Sequence, residues 1–220
     1  MNLLELAHNL KKFVTGTEGN VSEKISNEKF LIKASGTSLS NLIEKNLILC
    51  NFNNIQLDNF EKKPSMEFEF HSSLLKHENI NFIAHTHPTN TLSIVCSNLI
   101  YEFAESRFFP DQIVFNDIKS CVIPYAKPGN ELNKNIDIYL NKFISLEGFF
   151  PKLILLQNHG IICASFSARG CLMATEICEK SAEIFIKSKL LGNINYISQS
   201  EIYKINFDEN EIYRKDIINK

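Results

Sequence analysis

Apolar residues recur along this chain at two periods, and the switching between them predicts its elements. Leu3, Ala7, Leu10 and Val14 follow helical spacing, so a first amphipathic helix ends near Val14. Thr15 to Asn20 is a glycine-rich loop, Phe30 to Lys33 a short strand, and Gly36 marks a turn after it. Leu47 to Phe52 is an apolar run of strand length. Pro64 suits a first helical turn, and Met66, Phe70 and Leu74 stand four apart, which predicts a helix over 64–76. Ile80 to His85 and Ile118 to Pro124 read as strands, and Asn130 to Leu146 as a helix. Leu153 to Leu156 and Gly160 to Ala164 are strand-like pieces around Gln157-Asn158-His159. Ser167 to Leu191 is the longest helical segment, with Cys171, Ala174, Ile177, Ser181 and Ile184 at helical spacing. Strands separated by helices predict a single α/β domain. No repeat, low-complexity block or Pro/Gly/Ser linker divides the chain. The expected organisation is a domain over 1–195 and a tail over 196–220, for which packing near the active site is one option.

Composition narrows the class. Of the 220 residues, 44% are hydrophobic and 22% charged, the balance of a globular rather than a disordered chain. No apolar run reaches the ~18 residues of a membrane span, so no membrane partner is expected. The 23 basic and 25 acidic residues leave a net charge of −2 with no basic patch, which argues against nucleic acid binding. The six cysteines form no CxxC pair, and most sit in apolar runs such as LILC and GIICA. They read as buried, reduced thiols of a cytoplasmic protein. Glu5, His8 and Asn9 interrupt the N-terminal apolar run, so it is not read as a signal peptide.

Candidate chemistry concentrates at strand ends. In His85-Thr86-His87-Pro88 the two histidines are two apart at the end of a strand and project to one side. They suit one metal ion, with His159 as third ligand beside Gly160, where the backbone can bend or approach closely. Three imidazoles with an open position describe a catalytic rather than a structural zinc site; ordinary histidines are the bland alternative. Glu67, in PSMEFEFH, is either a carboxylate favouring a helix start or a functional group, and it can pair with His71 four residues on. Gly19-Asn20-Val21-Ser22, Ser35-Gly36-Thr37-Ser38 and Ser65 offer hydroxyls, an amide and free backbone N–H groups suited to a phosphate or a polyol, or are simply loops.

In this order, GNVS, KASGTS, PSMEFEFH, HTHP, PYAKPGNEL and QNHG resemble the class II aldolase/adducin family from about Leu3 to Leu191. Among its members the fuculose-1-phosphate aldolase type is the nearest model. The resemblance implies a three-layer-like fold with a central, mainly antiparallel sheet covered by helices. It implies Zn²⁺, or another divalent transition metal, on His85, His87 and His159, and Glu67 as the acid/base carboxylate. It places Asn20, Ser35, Gly36 and Ser65 at the substrate phosphate, and it implies a homo-oligomer, a tetramer in the usual case. Two departures bear on the substrate. Met66 stands where a second serine is usual, and Phe108-Phe109-Pro110-Asp111-Gln112 offers no tyrosine where the fuculose-phosphate enzymes have one.

The expected activity is a zinc-dependent aldolase cleaving a ketose or ketose phosphate through a metal-stabilised enediolate. The same histidines and glutamate suit a sugar-phosphate epimerase, a dehydratase or a keto-acid decarboxylase of the family. A non-catalytic, adducin-like interaction domain is the alternative of another class.

Overall fold

The computed structural model describes residues 1–219. Seven strands form one sheet: β1 (Asn20–Lys24), β2 (Lys29–Lys33), β3 (Leu47–Asn51), β4 (Phe82–Thr86), β5 (Cys121–Ile123), β6 (Leu153–Leu156) and β7 (Gly160–Ser165). Their spatial order is β3-β2-β1-β4-β7-β6-β5. Every described neighbour pair is antiparallel except β5 and β6. The sheet is therefore mainly antiparallel, as the resemblance implies.

Helices cover both faces of the sheet. The α-helices are α1 (Leu3–Leu10), α2 (Phe68–Leu75), α3 (Thr89–Val95), α4 (Ile100–Glu105), α5 (Pro110–Asn116), α6 (Asn130–Glu147), α7 (Ala168–Leu191), α8 (Gln199–Asn206) and α9 (Glu209–Asn219). On one face, Val21, Ala84, Leu155, Ile161 and Cys163 pack against α1, α3, α4 and α7. On the other, Ile32, Ile83, Ile154, Ile162 and Ala164 pack against α2 and α6. Because β6 and β7 are covered on both sides, their sequences LILL and GIICA run apolar without alternation. Small residues on α7, Cys171, Ala174, Cys178 and Ala182, are all buried in the first of these clusters.

Two segments differ from the pattern-based expectation. The helix predicted from Pro64 begins at Phe68. Residues 63–65 instead run beside the end of β2: Ser35 N donates to Lys63 O at 2.9 Å, and Ser65 N donates to Lys33 O at 3.0 Å. These sheet-like bonds satisfy backbone groups that a helix start would leave open. Residues 89–116, which carry no clear period, fold into α3, α4 and α5. The fully buried Arg107 gathers that region by donating to the carbonyls of Ala104, Ser106, Asn116 and Asp117 and to Ser120 Oγ. The tail forms α8 and α9, whose Ile205 and Ile218 pack on Val114, Phe115 and Ile177. Five of the six cysteines are buried, Cys96 is exposed, and all six are free. No helix among the described residues is long and apolar enough to cross a membrane.

Candidate metal centre and active site

The site starts at the end of β4, where His85 and His87 leave on one side. His85, 1% exposed, donates from Nδ1 to the Ile161 carbonyl at 2.8 Å. Its Nε2 is therefore the lone-pair nitrogen. His87 Nε2 lies 3.0 Å from it, and His87 Nδ1 faces Glu18 Oε2 at 3.6 Å. The β6–β7 turn delivers the third ring. Leu156 pairs with Gly160, Asn158 adopts a left-handed φ of 56°, and His159 N donates to Leu156 O at 3.1 Å. Gly160 follows of necessity: a Cβ there would stand 2.5 Å from His87 Cδ2 and 2.6 Å from Thr86 O. One ring nitrogen from each of the three histidines lies within 4.8 Å of the others.

This donor set fits a divalent cation. Imidazoles on a tetrahedral zinc, at about 2.0–2.1 Å each, bring their nitrogens roughly 3.4 Å apart. The His85–His87 approach is of that order. Burial, reinforced by His87, pushes His85 down to about 3 despite the Ile161 bond. Burial and then His85 lower His159 to about 4 against the opposing charge of Glu67. Both rings are thus neutral at neutral pH, the form that binds metal.

Glu67 immediately precedes α2 and straddles two of the rings. Its Oε2 lies 3.3 Å from His85 Nε2, and its Oε1 lies 3.4 Å from His159 Nε2. Asn20, opposite His85 in the β1–β4 register, donates from Nδ2 to Glu67 Oε2 at 2.8 Å and to Ser65 Oγ at 3.2 Å. The expected pairing of Glu67 with His71 is not formed. His71 is fully buried and bonds to Ser22 Oγ at 2.6 Å and to Asn20 Oδ1. Glu67 lies outside the helix, so the i, i+4 geometry of a regular helix does not apply to it.

Asn20, Ser35, Gly36 and Ser65 share a cleft of about 280 Å³ with Glu67, His87 and His159. The candidate phosphate-binding residues, Glu67 and two of the three candidate ligands thus converge on one place, with His85 beside it, facing Glu67, whereas Val21, Ser22, Thr37, Ser38 and His71 do not line it. A family model, the Class II Aldolase and Adducin N-terminal domain, matches residues 3–186. The chain belongs to the class II aldolase and adducin family. It is 28% identical over 193 residues to a 3-oxo-tetronate 4-phosphate decarboxylase of Haemophilus influenzae, covering 86% of each chain. It is 26% identical over 188 residues to an L-fuculose phosphate aldolase of Methanococcus maripaludis, covering 83% of this chain and 93% of that one. Among solved structures, an L-fuculose 1-phosphate aldolase superposes with a TM-score of 0.77 at 21% identity, over 93% of this chain and 92% of that one. The last comparison speaks for the fold.

Within the candidate site of this family member the fold adds two charged residues that the sequence reading passed over. Lys33, at the end of β2, is 2% exposed and lines the cleft. Its Nζ donates to Thr17 O at 3.2 Å and Thr37 O at 2.5 Å. Burial lowers it to about 8, opposed by Glu67. The available signal was a second lysine, closing the apolar run Phe30–Ile32 of the strand KFLIK. Glu18, in the glycine-rich loop, reaches His87 and is held by Thr15 N at 2.9 Å. Met66 lies at the cleft with 77% of its surface exposed. Tyr101 and Tyr125 are also exposed, and neither lines the cleft.

Proposed function

We propose that this protein is a divalent-metal-dependent lyase that breaks the carbon–carbon bond between the carbons α and β to the ketone of a phosphorylated sugar-derived substrate. The observation that carries this reading is the Glu67 carboxylate held between His85 and His159 at the cleft floor. The named reactions of the relatives share their chemistry. Decarboxylation of a 3-oxo-tetronate 4-phosphate and aldol cleavage of a ketose 1-phosphate both leave the enediolate of dihydroxyacetone phosphate.

His85, His87 and His159 would hold the ion, zinc in the first instance. When bound, it supplies a positive charge beside the ketone oxygen where negative charge develops. The chain's own groups do the rest. As the carbon–carbon bond breaks, its electron pair stays on the three-carbon fragment, and the other part leaves as carbon dioxide, or as an aldehyde whose hydroxyl proton passes to solvent. The Glu67 carboxyl then delivers a proton to the fragment's carbon, or removes it in the reverse direction. Ser35, Gly36 and Ser65 bind the remote phosphate, and the buried Lys33 ammonium supplies charge where Met66 removes a hydroxyl. Remote binding of this kind fixes the reacting carbon near Glu67. A homo-oligomer, the tetramer usual in the family, is part of this reading.

The test is exchange of the carbon-bound protons of dihydroxyacetone phosphate in deuterated water, followed by NMR with zinc-loaded protein. Exchange is expected, with at least ~100-fold loss in Glu67→Gln at full zinc occupancy, and loss of stoichiometric zinc in His159→Ala. No exchange by the zinc-loaded protein, or an unchanged rate in Glu67→Gln, would overturn the reading. Equal rates with unphosphorylated dihydroxyacetone would remove phosphate from it.

A further inference from the structure

Behind Glu67 lies a chain of buried polar side chains that ends away from the cleft. Ser22, His71 and Asn20 are 0%, 0% and 3% exposed. Asn20 and Ser22 are two apart on β1 and so share a face, and the His71 ring from α2 spans both. The chemistry of each group sets the direction of every bond. The Glu67 carboxylate only accepts, so the Asn20 atom facing it is the Nδ2 donor, at 2.8 Å. That leaves Asn20 Oδ1 toward His71, and because Oδ1 also only accepts, His71 carries its proton on Nε2. The Ser22 hydroxyl, with no other acceptor among the described residues, then donates to Nδ1 at 2.6 Å.

We propose that Ser22, His71 and Asn20 form a positioning relay that holds the Glu67 carboxylate in its reactive orientation. This rests on the reading of Glu67 as the proton carrier. The weak point of the arrangement is Asn20. Turned by 180°, its amide would aim Oδ1 at Glu67 Oε2, two acceptors facing each other. The Nε2–H of His71 bars that flip, and Ser22 disfavours the other tautomer of His71, in which its buried hydroxyl hydrogen would have no acceptor among the described residues. A core histidine of purely packing value needs satisfied nitrogens but no such ordered link to the acid/base group.

Two variants separate the roles of the ring nitrogens. In His71→Gln the amide nitrogen takes the place of Nε2 and keeps the donor to Asn20. In His71→Asn the amide sits near Nδ1 and the donor is lost. In the exchange assay, His71→Asn is expected to lose roughly 10-fold or more in kcat while KM and zinc affinity stay within about 2-fold, and His71→Gln to stay within about 3-fold of wild type. Parallel losses in zinc affinity or KM would assign His71 a structural role, and a fully active His71→Asn would end the proposal. The relay also has a readout without substrate. In zinc-loaded protein labelled with 15N-histidine, His71 is expected as the Nε2–H tautomer with a slowly exchanging proton, and Ser22→Ala is expected to mix the tautomers. An Nδ1–H tautomer in the wild type would overturn the relay. This spectrum also decides the case if His71→Asn does not fold. A wild type that exchanges no substrate proton but shows the Nε2–H tautomer would defeat the lyase reading and leave the relay standing as the device that orients Glu67.

Discussion

Single atoms decide whether this site forms. Gly160 is the clearest case, since any Cβ at that position collides with the His87 ring and the Thr86 carbonyl. Gly160→Ala is expected to push His87 out of line and to weaken zinc binding by about 10–100-fold, the scale of losing an orienting contact. Competition with a chromogenic chelator measures it; unchanged affinity would mean that the ring yields without cost. The histidines and Glu67 were legible because they stand in short motifs whose spacing carries the chemistry. Lys33 was not. Its neighbours mark a strand, but the approach of the Thr17 and Thr37 carbonyls and the charge of Glu67 make a buried ammonium tolerable there.

At the scale of elements, one carboxylate ties the helix that follows β4 to the long helix. Glu179 on α7 accepts from Asn90 N, Asn90 Nδ2, Thr91 N and Thr91 Oγ, each at 2.8–2.9 Å. It thereby caps α3 directly after the HTHP segment. Glu179→Ala is expected to cost about 2–3 kcal/mol, as for hydrogen bonds to a charged group, and Glu179→Gln less. The midpoint of urea unfolding checks both. The long helices and the apolar strands were readable from their periods. The short helices α3, α4 and α5 were not, because their order depends on side-chain bonds that no apolar period reports, to the sequence-distant Glu179 and to the carbonyl-gathering Arg107 between α4 and α5. The early start predicted at Pro64 failed for the same reason: a neighbouring strand end claimed those backbone groups.

Across the whole molecule, the sheet carries the site and the tail braces α5 and α7. The cleft takes its lining from residues between Thr17 and His159, whereas α8 and α9 lie on α5 and α7. Ile202 of α8 is fully buried. A chain ending at residue 195 is therefore expected to keep zinc binding and to lose roughly 3 kcal/mol or more, given about 1.5–3 kcal/mol per fully buried isoleucine and the further contacts of Ile205 and Ile218. Chemical unfolding with zinc titration of the shortened chain measures both quantities. Loss of zinc binding would show that the tail supports the site as well as the core.

Local order accounts for what could be read directly. Side-chain alternation along β4 is a property of any strand, so HTH already places two imidazoles on one side. A glycine after His159 already signals a close approach. Family membership followed from the order of such motifs. The tertiary structure decided which groups each of them faces. Antiparallel pairing set Asn20 beside His85, the edge of β2 drew residues 63–65 out of a helix, and the packing of α2 turned His71 away from Glu67 and toward Asn20. Those outcomes depend on long-range pairing and burial, which no window of neighbouring residues contains.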